Sequence, residues 1–334
     1  MEGMKPTIGS AKRGRGDALK AELAQLRLGV GCQITWDGSG ALVRGELTSE
    51  QWARFAHFMD RHGILSLDVT FAEMTDLEFL SYVPWLTALQ FGGHKVASIE
   101  GLAHLIDLRS LGFTVTRKFS LAILQQFPNL RSLGIGPVRD IEVVSSLKEL
   151  RWLGLDNTKL PTLELLTGLP HLMGLSLGQG SSQDLCALGD LQHLELLDIS
   201  YWRALQDAAL APVGECTRLK HLELMSLPHI TVIPDLSRLV QLDSIWIANM
   251  RSLTSLAGIA AAPNLTHLFV EDDKIDPDLF TVLRGHPHLE YLAFQSTKAR
   301  RDAVGEIIQR PTYPANSTVV MQRRAAVLDA INGQ

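Results

Sequence analysis

Apolar residues recur along this chain in one phrase, apolar-x-x-apolar-x-apolar, and the residues between drift. LRSLG stands at 108–112 and again at 130–134. Aligning the phrase gives eleven units, beginning at 64, 86, 108, 130, 150, 172, 194, 219, 242, 265 and 289. The end of each phrase alternates: Leu111 and Phe113 are apolar, while Ser110, Gly112 and Thr114 are small or polar. That period of two predicts a strand with one buried face. A single strand and its return cannot bury that face, but stacked copies bury one another. The inward set must therefore repeat, while the returns need supply only a few apolar contacts.

The returns SLAILQQFPN (120–129) and DLFTVLRGHPH (278–288) read as short helices. Asp276-Pro277 supplies an N-cap followed by Pro at the first helical position. LPTLELLTGLP (160–170) and VIPDLSRLVQ (232–241) read as looser turns. The open ends of such a stack expose core and need caps. Residues 32–62 fit one, a hairpin followed by an amphipathic helix with Trp52, Phe55, Phe58 and Met59 on one face. Residues 17–28 add a helix with Leu19, Leu23 and Leu26 on one side, and 297–310 and 321–332 predict two more at the other end. The division expected is 1–63 for the N-terminal tail and cap, 64–295 for the repeats, and 296–334 for a C-terminal helical cap.

The phrase resembles that of the leucine-rich-repeat superfamily, L-x-x-L-x-L-x-x-N with a variable return. The period of about 22 residues is most similar to the short repeats of bacterial members. The resemblance implies an α/β fold: a right-handed solenoid, or horseshoe, with one parallel sheet of about eleven strands and short helices or turns on its convex side. It also implies a non-enzymatic role in binding protein or peptide on the concave strand face, as in an inhibitor, an immunity protein or an effector. One feature departs from the family. Its Asn, nine positions into each unit, satisfies buried backbone groups at the turn. Here that place holds Thr116, Thr158, Asp273 or Thr297 in some units and Trp202, Leu227 or Met250 in others. A less regular ladder is expected.

Composition narrows the picture. The 334 residues carry a net charge of -5 and are 46% hydrophobic, as expected of a soluble globular chain. Of 56 leucines, 49 fall between 64 and 294, so the Leu-rich body has edges. No run of apolar residues is long enough to span a bilayer, and the basic start lacks the apolar run of a secretory signal. Cys32, Cys186 and Cys216 are odd in number and far apart, which predicts free thiols, no metal site and a reducing, cytoplasmic setting. With this charge and no long basic stretch, nucleic acid is not the expected partner. A chain that is monomeric alone is expected.

No catalytic constellation or cofactor motif stands out. GQGSSQ (178–183) lacks phosphate-loop spacing, and HPH (286–288) mirrors LPHL (169–172), so it reads as a repeat feature. Arg15-Gly16-Asp17 spells an adhesion tripeptide by coincidence. Among the acids of EDDKIDPD (271–278), Glu271, Asp272 and Asp273 form either a solvated turn or a site for a basic partner.

Function is then expected on outward strand positions. Gly112, Gly134 and Gly154 line up on consecutive units, either because a partner backbone approaches closely or because a unit was duplicated. Later units place large groups on the same parity: His221, Glu223, Met225, Trp246, His267, Phe269, Glu271 and Tyr291, with Trp152 further back. Such residues are enriched at binding hot spots. Either a partner or a terminal helix covers them. The second position of three units is Arg109, Arg131 and Arg151, a row expected on the rim, where it would orient a charged partner. The competing reading is an enzyme or regulated switch with its site in the caps.

Overall fold

A computed structural model describes residues 8–29, 31–35, 37–160, 162–314 and 317–333. Its sheet has 13 strands, and their order in the sheet is their order in the chain. Eleven are the repeat strands expected from the phrase; the other two form the hairpin before them. The chain forms two compact units, Met1–Val143 and Val144–Gln334, described in turn.

The first unit opens with α1 (Ile8–Gln25), a hairpin of β1 (Cys32–Ile34) and β2 (Gly40–Val43), and α2 (Ser49–Arg61). The hairpin is antiparallel, with Cys32 opposite Val43. Its turn is held by Asp37, whose carboxylate accepts from the Thr35 hydroxyl at 2.7 Å and the Ser39 amide at 3.1 Å. Those bonds hold the Asp37 carboxyl down at about 2. Thr48 caps α2: its hydroxyl accepts from the Gln51 amide while the Gln51 side chain accepts from the Thr48 amide, a reciprocal pair. Trp52, Phe55, Phe58 and Met59 are all buried on one face of α2, and Trp52 stacks on Phe79 at 4.4 Å. Leu19 and Leu23 of α1 are buried too, whereas Leu26 falls beyond the helix end, half-buried, and Leu28 takes the inward place.

Four parallel repeat strands follow, β3 (Ser66–Val69), β4 (Ala88–Gly93), β5 (Ser110–Val115) and β6 (Ser132–Ile135). Leu67, Leu89, Leu111 and Leu133 occupy one buried column, as the period of two requires. The space over Gly112 is taken by the flexible end of a neighbouring side chain, which could swing aside for a larger residue. A Cβ there would lie 2.5 Å from the Gln90 amide nitrogen, which crosses it from β4.

The second unit carries seven parallel strands: β7 (Trp152–Asp156), β8 (Gly174–Gly178), β9 (Leu196–Ser200), β10 (His221–Met225), β11 (Ser244–Ala248), β12 (His267–Glu271) and β13 (Tyr291–Phe294). The returns are one- or two-turn pieces, including α3 (Asp207–Leu210), α4 (Ala257–Ala260) and 3-10 turns. Residues 164–168, expected as loose, close a 3-10 turn because Leu163 and Leu166 both seat in the core. Asp276 caps the 277–283 turn as its sequence suggests, accepting from the Asp278 amide at 3.0 Å. Two helices end the unit, α5 (Lys298–Ile308) and α6 (Ser317–Gly333).

What replaces the missing Asn is a backbone ladder. Asn157, Gln179, Tyr201, Ser226 and Asn249 each follow a strand with positive φ, between 50° and 55°. Their amides donate to Gly178, Ser200, Met225, Ala248 and Glu271, the last residue of the next strand. Such a conformation costs a non-glycine residue about 1–2 kcal/mol, and one interstrand hydrogen bond per turn offsets it. The ninth position is then free to be apolar: Trp202, Leu227 and Met250 are all buried there.

Candidate functional site

In the second unit the outward positions of β7–β13 stack in register into columns. The first reads Trp152, Gly174, Leu196, His221, Ser244, His267 and Tyr291; the second reads Gly154, Ser176, Asp198, Glu223, Trp246, Phe269 and Ala293. From β7 to β13 the face therefore changes from small, to acidic, to aromatic. At the small end Trp152 lies over two glycines. A Cβ on Gly154 or Gly174 would come within 2.6 Å of its ring.

Helix α6 lies over this face. Its 17 residues span about 25 Å at 1.5 Å each, and the five steps from β8 to β13 span about 24 Å. Val319, near its start, packs on the aromatic cluster of Trp246, Ala248, Phe269 and Ala293, with Met225 and Tyr291 alongside. Ile331, near its end, reaches the space over Gly174. Ahead of α6, Tyr313 bridges β13 and stacks on Tyr291 at 4.7 Å with 5° between the rings.

Two arginines join helix to sheet over the acids. Arg324 Nε lies 3.2 Å from Glu223 Oε1, and its Nη2 lies 3.8 Å from Asp198. Arg323 pairs with Asp243 at 3.0 Å and lies 2.8 Å from His267 Nε2. Guanidinium only donates, so Nε2 accepts and His267 is neutral. Burial and then the Arg323 charge hold its pKa below the ordinary histidine value. Asp198 moves the other way. Burial and the neighbouring Glu223 charge push its carboxyl up to about 6, against a 2.8 Å hydrogen bond from the Ser176 hydroxyl and the pull of Arg324.

Beside them runs a buried chain from Ser244 through His221 to Glu223. His221 Nδ1 lies 2.6 Å from Ser244 Oγ, and Nε2 lies 2.7 Å from Glu223 Oε1. A carboxylate only accepts, so Nε2 donates to Glu223, while Nδ1 shares a hydrogen bond with the serine hydroxyl. The residue types are those of a hydrolytic relay. Ser244 is 1% exposed and His221 0%, so both are closed off with α6 in place. The thiols are no readier to react. All three are free, and burial pushes Cys32 up to about 11 and Cys216 up to about 12. Hydrogen bonding to Asp184 raises exposed Cys186.

The outward parity expected of the late aromatic patch is observed; an open surface is not. Trp246, Phe269, His221, Glu223 and His267 are buried, and Met225, Glu271, Tyr291 and Trp152 are half-buried. Of the two covers considered for this patch, the terminal helix is the one in place. Legible in the sequence only as a pair of charges, Arg323 and Arg324 are the residues missed.

Elsewhere Arg109 is exposed before β5 and tied to Asp107 at 2.6 Å. Arg131 is half-buried. Arg151 is half-buried and lines a cavity of about 340 Å³ with His171, His193 and Arg218. Asp272 is not part of a solvated turn: it is buried and accepts from the Lys274 amide at 2.9 Å. His286 is buried with Nε2 2.8 Å from the Ala262 carbonyl, which gives the HPH phrase a structural role. No helix among the described residues is long and apolar enough to cross a membrane.

No protein-family model and no curated protein matches the sequence. Solved structures do. A leucine-rich-repeat protein of Leptospira interrogans matches at a TM-score of 0.50 and 19% identity, over 75% of this chain and 71% of that one. An internalin of Listeria monocytogenes matches at a TM-score of 0.48 and 16% identity, over 95% of this chain and 99% of that one. Eleven repeat strands in chain order, each with a buried leucine or isoleucine at its inward position, agree with the Leptospira likeness: this chain has the leucine-rich-repeat fold.

Proposed function

We propose that this chain is a non-enzymatic protein-binding module, and that its binding surface is the outward strand face of β8–β13. The observation that carries this reading is the character of that face. Trp246, Phe269 and Tyr291 gather beside Asp198, Glu223 and Asp243, an aromatic floor with an acidic flank, and a helix is seated across both. A sheet that served only as scaffold would need neither the aromatics nor the charges at Glu223 and Asp198, buried or half-buried, which are costly where they lie. Aromatic anchors in a desolvated setting are the groups that dominate binding energy. Three free thiols support a reducing, cytoplasmic location, and a face closed by its own helix supports a monomer. The raised thiols and the sealed Ser244–His221–Glu223 chain support a role without catalysis.

Photo-crosslinking in the cells of origin tests this. A crosslinking residue is placed in the full-length protein at Glu271, on the strand face, or at Glu164 or Asp190, on returns. Adducts with another protein are expected from Glu271 and not from the returns. Adducts confined to the returns would move the site off the strand face.

A further inference from the structure

We infer that α6 is a built-in stand-in for the partner, and that the face beneath it takes an α-helical segment of another protein bearing two adjacent arginines. The inference rests on the strand face being the binding surface and adds which partner fits it.

Three observations converge. The first is geometric: the face accommodates a helix of about five turns laid across six strands, because α6 does so with matching length. The second is charge. Asp198, Glu223 and Asp243 lie on or at the edge of neighbouring strands β9–β11, and the groups of α6 that answer them are Arg323 and Arg324. Adjacent positions on a helix diverge by about 100°, so such a pair straddles a ridge and reaches two strands at once. Arg324 alone answers Asp198 and Glu223, and Arg323 adds Asp243, so the adjacent pair answers all three acids.

The third is the looseness of the fit. Among described α6 side chains Ile331 alone is fully buried; Arg323, Arg324, Val327 and Leu328 are half-buried, and Met321 is 49% exposed. Beneath the helix Trp246 is only 7% exposed, yet its indole N–H has no hydrogen-bond partner among the described residues. A buried donor without an acceptor is a cost that a better-matched occupant removes. Tyr313 is separately anchored, stacked on Tyr291 and bonded to β13 through its amide and carbonyl. The chain can therefore release α6 while the end of the sheet stays capped.

The test uses the full-length chain with Arg323→Glu and Arg324→Glu together, which sets like charges against the three acids. The probe is a fluorescent synthetic peptide with the sequence of residues 317–333, followed by polarisation. The double variant is expected to bind it at least tenfold more tightly than the wild type, whose face is filled. A peptide with both arginines changed to glutamate is expected not to bind. Should the charge reversal unfold the protein, seen as loss of its cooperative melt, Ile331→Asp loosens α6 from its other end and the same comparison is made. Equal binding to wild type and opened variant, or binding to neither, overturns the inference. So does a variant that becomes a dimer by exchanging α6, because the occupant is then a second copy. If the glutamate peptide binds as tightly as the native one, the arginine rule fails while the face remains a helix site. If no helical peptide binds, the strand face itself is the wrong surface.

Discussion

The indole N–H of Trp202 donates to the Ser182 carbonyl at 2.8 Å, from a site in the repeat where Leu227 and Met250 fill the equivalent places with hydrocarbon. The ring also lies where a side chain at position 180 would be: a Cβ on Gly180 would meet three of its atoms at 2.4–2.5 Å. Trp202 thus meets one buried carbonyl and claims the space of one missing side chain. Trp202→Phe should cost about 1–3 kcal/mol, the cost of an unmet buried acceptor. Gly180→Ala should cost about 1–3 kcal/mol through overpacking. Trp202→Phe with Gly180→Ala should cost less than the sum of the two single changes, because one space is being contested. Urea denaturation midpoints check all three.

Thiol reactivity gives an independent measure. Cys186 is exposed, while Cys32 and Cys216 are held unreactive by burial, up to about 11 and 12. At pH 8 a thiol reagent added to the native protein should label Cys186 first. Cys32 should follow slowly, and Cys216 only on the timescale of unfolding. The denatured chain should show three thiols. Fast labelling of Cys216 would mean that the return around it opens far more readily than its burial implies.

The strands were legible because each unit solves the same packing problem, so Leu67, Leu111 or Leu268 could be placed inward by counting. The hairpin and α2 were legible through local chemistry, the turn residues and the capping pair Thr48 and Gln51. Parity also told that Phe269 must face away from the repeat core. Where α6 docks was not legible. Its link to the sheet is Arg324 on Glu223 and Arg323 on Asp243, pairs separated by 80 or more residues and bound to no period. The ladder of positive-φ residues at 157, 179, 201, 226 and 249 escaped for a different reason. Its signal is a backbone angle, and Asn, Gln, Tyr and Ser all occupy it.

Asp198 should make the protein more stable in mild acid. Its carboxyl is raised from the ordinary 3.8 to about 6 in the folded chain, so the folded state binds the proton more tightly than the unfolded one. Its contribution is fully present below about pH 4 and is lost as pH rises through 6, a change on the order of 3 kcal/mol. His267 opposes it: a lowered folded pKa removes stability as pH falls below the ordinary histidine value. Asp198→Asn isolates the first effect. At pH 7.5 the variant should melt higher than wild type, and the difference should shrink toward pH 4.5. An equal difference at both ends would mean that Asp198 is already charged and satisfied where it sits.

The buried pair of His221 and Glu223 allows stability to be separated from binding. Glu223→Leu leaves the Arg324 charge without its nearest carboxylate and His221 without an acceptor, and should cost about 3–5 kcal/mol. Replacing the whole group, with His221→Leu, Glu223→Leu and Arg324→Leu in one chain, removes every charge left stranded by the single change. Buried ion pairs replaced by apolar residues of similar size are often neutral or stabilising, so the triple variant should recover most of that loss. It would still differ from wild type in one respect. With Glu223 gone, the face has lost the carboxylate nearest to an incoming arginine. When α6 is then loosened by Ile331→Asp, the opened face should bind the 317–333 peptide at least tenfold more weakly than the Ile331→Asp protein that keeps His221, Glu223 and Arg324. Recovered stability with lost peptide binding would show that the cluster is kept for recognition. Unchanged peptide binding would mean that the aromatic floor alone, Trp246 with Phe269 and Tyr291, selects the helix.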